Sequence, residues 1–165
     1  MAGSTRSRNT SKNKQKDNRK IVKKTYNTPL PCHELTKKII ETFYKTLTEF
    51  DNSKGVPEAA FSKQLAINLR QKGMNVALNK MIPMIKNGII LTRMRPSMVV
   101  EGLIVIEIKN VQHITKKHKA QGTLYLDYGG YPAGLFLNYG VDKSHIERIP
   151  LPGKYHRESK QCPGS

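Results

Sequence analysis

No run of eighteen or more apolar residues occurs in this 165-residue chain, so no segment reads as a bilayer-crossing helix. The basic N-terminus lacks the apolar stretch and small-residue cleavage site of a secretory signal, and none is expected there. Only two cysteines are present, Cys32 and Cys162, in opposite flanks and without a Cys–His spacing beside them. That argues against a zinc site and leaves two free thiols in a reducing compartment as the simplest reading. The cytoplasm, the nucleus or the interior of a virus particle would all fit. Acidic residues are scarce: 12 Asp and Glu stand against 29 Lys and Arg, giving a formal charge of +17. Such a potential draws polyanions, which puts DNA first and RNA second among expected partners. A membrane surface is the weaker alternative, because no amphipathic basic helix accompanies the charge.

What is present divides into three blocks. Residues 1–31 carry Arg6, Arg8, Lys12, Lys14, Lys16, Arg19, Lys20, Lys23 and Lys24 against Asp17 alone, with almost no apolar residues. Such a segment buries too little surface to offset its ordering entropy, so a disordered basic arm that binds phosphate backbones is expected. A solubilising tail is the bland alternative. Residues 32–149 hold the periodic apolar pattern of one folded domain, and the 37% hydrophobic fraction suffices for a single core. Residues 150–165, with their prolines and terminal Cys-Pro-Gly-Ser, read as a weakly ordered tail.

Within the domain, Leu35, Ile39, Ile40, Phe43, Leu47 and Phe50 recur at helical spacing. A second helix is expected from near Pro57, with Phe61, Leu65 and Leu69 on its buried face and Gly73 at its end. Val76 and Leu78 alternate as in a strand, and the run from Ile82 reaches Asn87-Gly88, a strong hairpin signal. Ile89 to Val100 and Leu103 to Val111 read as two paired strands joined through Glu101-Gly102. The second is apolar on both faces for most of its length and is expected at the centre of the sheet. A helix from about Thr115 to Tyr128 and a buried strand from Ala133 to Tyr139 then imply a right-handed parallel crossover.

Two residues on the central strand carry possible chemistry. Glu107 and Lys109 are two apart, so both side chains emerge on one side. A carboxylate could hold a divalent ion there, and the ammonium could position water and stabilise phosphate charge. Folding the hairpin about Gly102 places Ser97 opposite Glu107, each five residues from the turn. A neutral hydroxyl is a poor substitute for an anionic ligand of a hard cation. Glu101 has the right parity but lies about 13 Å along the strand. On the following helix His118, Gln121 and Tyr125 share one stripe, which reads equally as a face packed on the sheet.

Together these residues resemble the GxxExxY family, a branch of the PD-(D/E)XK nuclease superfamily. Gly55-Val56-Pro57-Glu58-Ala59-Ala60-Phe61 is similar to its name-giving motif, with phenylalanine in place of the last tyrosine. Pro96-Ser97 and Glu107-Ile108-Lys109 stand where the family has Pro-Asp and Glu-x-Lys. His118-Lys119-Ala120-Gln121 with Tyr125-Leu126, Gly134 to Gly140, and Glu147-Arg148-Ile149 resemble its later helix, strand and ending. The resemblance implies an α/β, restriction-endonuclease-like core: a mixed four-stranded sheet flanked by helices. It implies an active site at Glu58, Glu107, Lys109 and Gln121, with Mg2+ on Glu58 and Glu107 where the protein is active. Members occur in bacteria and in large DNA viruses, and the Lys-, Ile- and Asn-rich composition with its basic arm leans towards the viral side.

Three readings follow. The first is a nucleic-acid-binding protein whose hydrolysis is weakened or lost through Ser97. The second is an active Mg2+-dependent DNA nuclease, with Glu58 and Glu107 sufficient for the ion. The third is a structural or packaging protein of a virus particle.

Overall fold

A computed structural model describes residues 32–50, 55–140 and 144–152. The expected basic arm and nearly all of the C-terminal tail lie outside the described residues. In chain order the elements are α1 (His33–Glu49), α2 (Glu58–Gln71), β1 (Val76–Leu78), β2 (Ile82–Lys86) and β3 (Ile89–Met94). They continue with β4 (Met98–Val100), β5 (Ile104–Lys109), α3 (Lys116–Gly129), β6 (Ala133–Asn138) and β7 (His145–Arg148).

The most apolar run, β5, lies at the centre of a five-stranded sheet in the order β1-β4-β5-β6-β7. It pairs antiparallel with β4 and parallel with β6, across the α3 crossover. The mixed sheet flanked by helices is therefore present, with five strands rather than four. Strand β7 was not foreseen: it is a short edge strand of His-Ile-Glu-Arg, without the apolar alternation that marks the others.

Alternation along the strands sorts the core into two layers. Ile104, Ile106, Ile108, Leu135 and Leu137 face α1 and α2, where they meet Ile39, Phe43, Phe61, Leu65 and Leu69. Val99, Val105 and Phe136 face α3, with Tyr125, Leu126, Tyr131 and Ile149. Burying a large apolar side chain contributes about 1.5–3 kcal/mol, so these layers are the main source of stability.

The expected strand from Ile89 to Val100 is corrected. It breaks at Arg95-Pro96-Ser97: β3 pairs only with β2 in a separate two-stranded ribbon, while β4 joins the main sheet. Pro96 has no N–H to give a ladder, and this is where the chain passes from one sheet to the other. The ribbon turn is the one the sequence signals, with Asn87 and Gly88 both at positive φ, 51° and 75°. Ile82, at the ribbon's base, is buried in the α3 layer, and β2 packs against α3. A second correction concerns Cys32, which is disulfide-bonded rather than a free thiol. A reducing compartment therefore does not follow from this residue.

Candidate active site

The β4–β5 register pairs Met98 with Ile106, Val99 with Val105 and Val100 with Ile104. One further step sets Ser97 opposite Glu107, as counting from the turn predicts. Both share parity with residues of the α3 layer, so both face α3. The Ser97 N–H donates to Glu107 Oε2 at 3.1 Å, and its hydroxyl lies 3.5 Å from the same oxygen. Ser97 Oγ in turn accepts from the Ile108 N–H at 3.0 Å.

The other oxygen of Glu107 meets Lys109 Nζ at 2.8 Å, and the carboxylate side chain is only 9% exposed. A buried carboxylate needs such partners, since desolvation without them is costly. Above it lies Tyr125 of α3, almost wholly buried. Burial, reinforced by the negative charge of Glu107, pushes this phenol well above its ordinary range. It therefore stays neutral at any physiological pH.

Glu58 reaches the same ammonium from the other layer. It is the first residue of α2, its Oε1 accepts from the Asn110 N–H at 2.8 Å, and its Oε2 lies 4.0 Å from Lys109 Nζ. The start of α2 is held to the end of β6 through Tyr139. That side chain stacks on Phe61 at 4.3 Å between centroids and donates its hydroxyl to Val56 O at 2.7 Å. Burial and the nearby Glu58 charge raise the Tyr139 phenol to about 12, partly offset by the Asn110 side chain.

The loop after β5 is fixed by a polar clamp. Asn138, fully buried, donates to Val111 O at 2.7 Å and accepts from the N–H groups of Val111 (3.1 Å) and Gly140 (3.2 Å). Glycine is required at 140 because a Cβ there would lie 2.1 Å from the Val111 carbonyl oxygen. Asn138, Tyr139 and Asn110 were not singled out from the sequence. A lone asparagine inside the apolar run Gly134–Tyr139 was the available signal, since buried amides require partners.

Of the expected residues, the structure brings together Glu58, Ser97, Glu107 and Lys109. Gln121 is exposed on α3 and its side chain makes no hydrogen bond among the described residues. His118 serves the start of α3: Thr115 caps the helix, and His118 Nδ1 accepts from the Thr115 N–H at 3.2 Å. Glu101 is engaged at the far turn, where it accepts from the Asn75 N–H at 2.7 Å. The arm residues Arg6, Arg8, Lys12, Lys14, Lys16, Arg19, Lys20, Lys23 and Lys24 lie outside the described residues.

Among the described residues no group of three His, Cys, Asp or Glu side chains could hold a metal ion. The two carboxylates that converge do so on the Lys109 ammonium. Nor is any helix among the described residues long and apolar enough to cross a membrane.

A family model described as the PD-(D/E)XK nuclease superfamily matches residues 33–149. No curated protein matches the chain. A solved structure described as "Crystal structure of SSO0001" is similar at 18% identity and a TM-score of 0.42, over 76% of this chain and 66% of that one.

Proposed function

Because the chain belongs to the PD-(D/E)XK nuclease superfamily, we propose that it binds nucleic acid at the Glu107–Lys109 site, with hydrolysis weakened or lost. The observation that carries this reading is Ser97, whose N–H and hydroxyl both point at Glu107 Oε2. A second carboxylate at that place would share a cation with Glu107; a serine instead donates to it.

Nucleases of this superfamily typically use Mg2+. The ion prefers near-octahedral oxygen coordination and anionic ligands. Here the donor set fits it poorly: Ser97 offers a neutral hydroxyl where an anionic oxygen would complete the site, and Glu58 and Glu107 converge on the Lys109 ammonium. Lys109 supplies the site's positive charge, shared between Glu107 and Glu58, and neutral Tyr125 lies close to Glu107. Losing a metal-binding carboxylate would cost several kcal/mol of transition-state stabilisation, or roughly three powers of ten in rate. Membership of the GxxExxY branch and the role of Glu58 belong to the same reading.

The test pairs binding with cleavage. The chain is expected to shift duplex DNA in a gel, less so as salt rises from 50 to 200 mM, and to cleave none in Mg2+. Ser97→Asp is expected to gain EDTA-sensitive cleavage. A second reading, an active Mg2+-dependent nuclease, draws on the approach of Glu58 and Glu107 to one cation. It wins if the unaltered chain cleaves DNA, EDTA stops it, and Lys109→Ala abolishes it.

A further inference from the structure

The ribbon β2–β3 has a feature that the site does not use. Its base is anchored by Ile82 and half-buried Met94, but its outer part is exposed on both faces. Large aliphatic side chains stand there in water: Ile85, Ile89 (65% exposed), Ile90 and Leu91 (57% exposed). Clustered exposed apolar side chains of this kind mark interaction surfaces.

The chemistry around them selects the partner. Between Glu58 and Glu101 the sequence has no acidic residue. Lys86, Arg93 and Arg95 on and beside the ribbon are exposed and form no ion pair among the described residues. A second copy of the ribbon would set these cations against each other, so self-pairing is opposed and a polyanion is favoured. No Phe, Tyr or Trp lies between Phe61 and Tyr125, so the ribbon has no ring on which an unpaired base could stack. A two-stranded ribbon does fit the major groove of B-form DNA, where aliphatic side chains meet thymine methyl groups. The major groove of an RNA duplex is too deep and narrow for side chains to read.

Position supports the assignment. The chain leaves β3 at Met94 and reaches Ser97 three residues later, within about 11 Å. Both the ribbon base and the Glu107–Lys109 site lie on the α3 side of the sheet. We infer that the β2–β3 ribbon is an arm that enters the major groove of duplex DNA, with the aliphatic residues of its two faces, Ile89 on one and Ile90 on the other with Leu91 at the bulge, lining the groove and Lys86 and Arg93 towards phosphates, and so seats the duplex at the Glu107–Lys109 site. This rests on the nucleic-acid reading above and adds the substrate form, double-stranded DNA.

The experiment measures binding of the full chain to labelled duplex DNA, single-stranded DNA and duplex RNA by fluorescence anisotropy. The variants are Ile89→Ser/Ile90→Ser/Leu91→Ser combined, and Lys86→Gln/Arg93→Gln combined. The aliphatic variant is expected to lose about ten-fold or more in duplex-DNA affinity at an unchanged salt slope, with single-strand binding unaltered. The charge variant is expected to lower the slope of log affinity against log salt by about 2, from roughly 0.9 per phosphate contact. Should the aliphatic variant fail to fold by circular dichroism, the charge variant alone decides. Wild-type duplex affinity in both folded variants, or duplex RNA bound as well as duplex DNA, would overturn the ribbon assignment. So would a concentration-dependent dimer in sedimentation that the aliphatic variant abolishes while DNA binding stays intact. If Lys109→Ala weakens DNA binding while the ribbon variants do not, the ribbon assignment falls and the site reading stands. If no nucleic acid binds at all, both fall.

Discussion

Glu107 is a carboxylate that water scarcely reaches, and its stability rests on three donors: Lys109 Nζ, Ser97 N and Ser97 Oγ. Removing one member of a buried pair strands the other, a larger loss than the pair's net worth. Lys109→Met should therefore lower unfolding free energy by about 3 kcal/mol in urea titrations, and Lys109→Met combined with Glu107→Gln should recover part of it. Tyr139 makes a prediction in pH. Its phenol is raised to about 12 in the folded chain against an ordinary 10, so the unfolded state releases its proton first. Its contribution is complete below pH 10 and is lost as pH rises towards 12. Tyr125 acts in the same direction. Tyr139→Phe should make the alkaline decline shallower, while the loss of the hydroxyl bond to Val56 O costs about 1 kcal/mol at neutral pH. Chemical denaturation across pH 8–12 checks both signs.

Among the elements, the ladder between β5 and β6 is continued past its end by a side chain, Asn138, which bonds Val111 and Gly140. Gly140→Ala would drive a Cβ into the Val111 carbonyl, which is backbone and cannot swing aside. A loss of about 2–3 kcal/mol is expected from the overpacking, read as a lower midpoint with an unchanged denaturant slope. This clamp lay beyond sequence reasoning because its partners, Asn138 and Val111, are distant in the chain and meet only once β5 and β6 pair in parallel. The opposite holds for Ser97 and Glu107. They face each other through a short local hairpin, where counting from Gly102 is enough to set the register. Helices α1 and α2 were legible for a similar reason, since their apolar spacing is local. The break at Pro96 was misread because Ile89–Met94 and Met98–Val100 both look like strand; only the fold shows that they serve different sheets. Gln121, carried over from a motif, is exposed on α3.

For the whole molecule, charge is the property that sequence alone states most plainly and that the described fold covers least. Residues 1–31 hold about half of the +17. Removing them should reduce the salt slope of DNA binding by several units while leaving the preference for duplex over single strand in place, a separation that titrations at graded salt will detect. Sheet edges are a second property of the whole molecule. The main sheet ends in β1 and β7, of three and four residues, which offer little backbone for another strand to match. The ribbon has longer open edges, and there the register slips between Met84 and Ile85, with Leu91 left over on β3. A one-residue bulge of this kind bends its strand and increases the local twist, which disfavours flat edge-to-edge pairing with another strand. The slip in pairing therefore falls at the place where exposed aliphatic residues would otherwise invite fibril-like edge pairing.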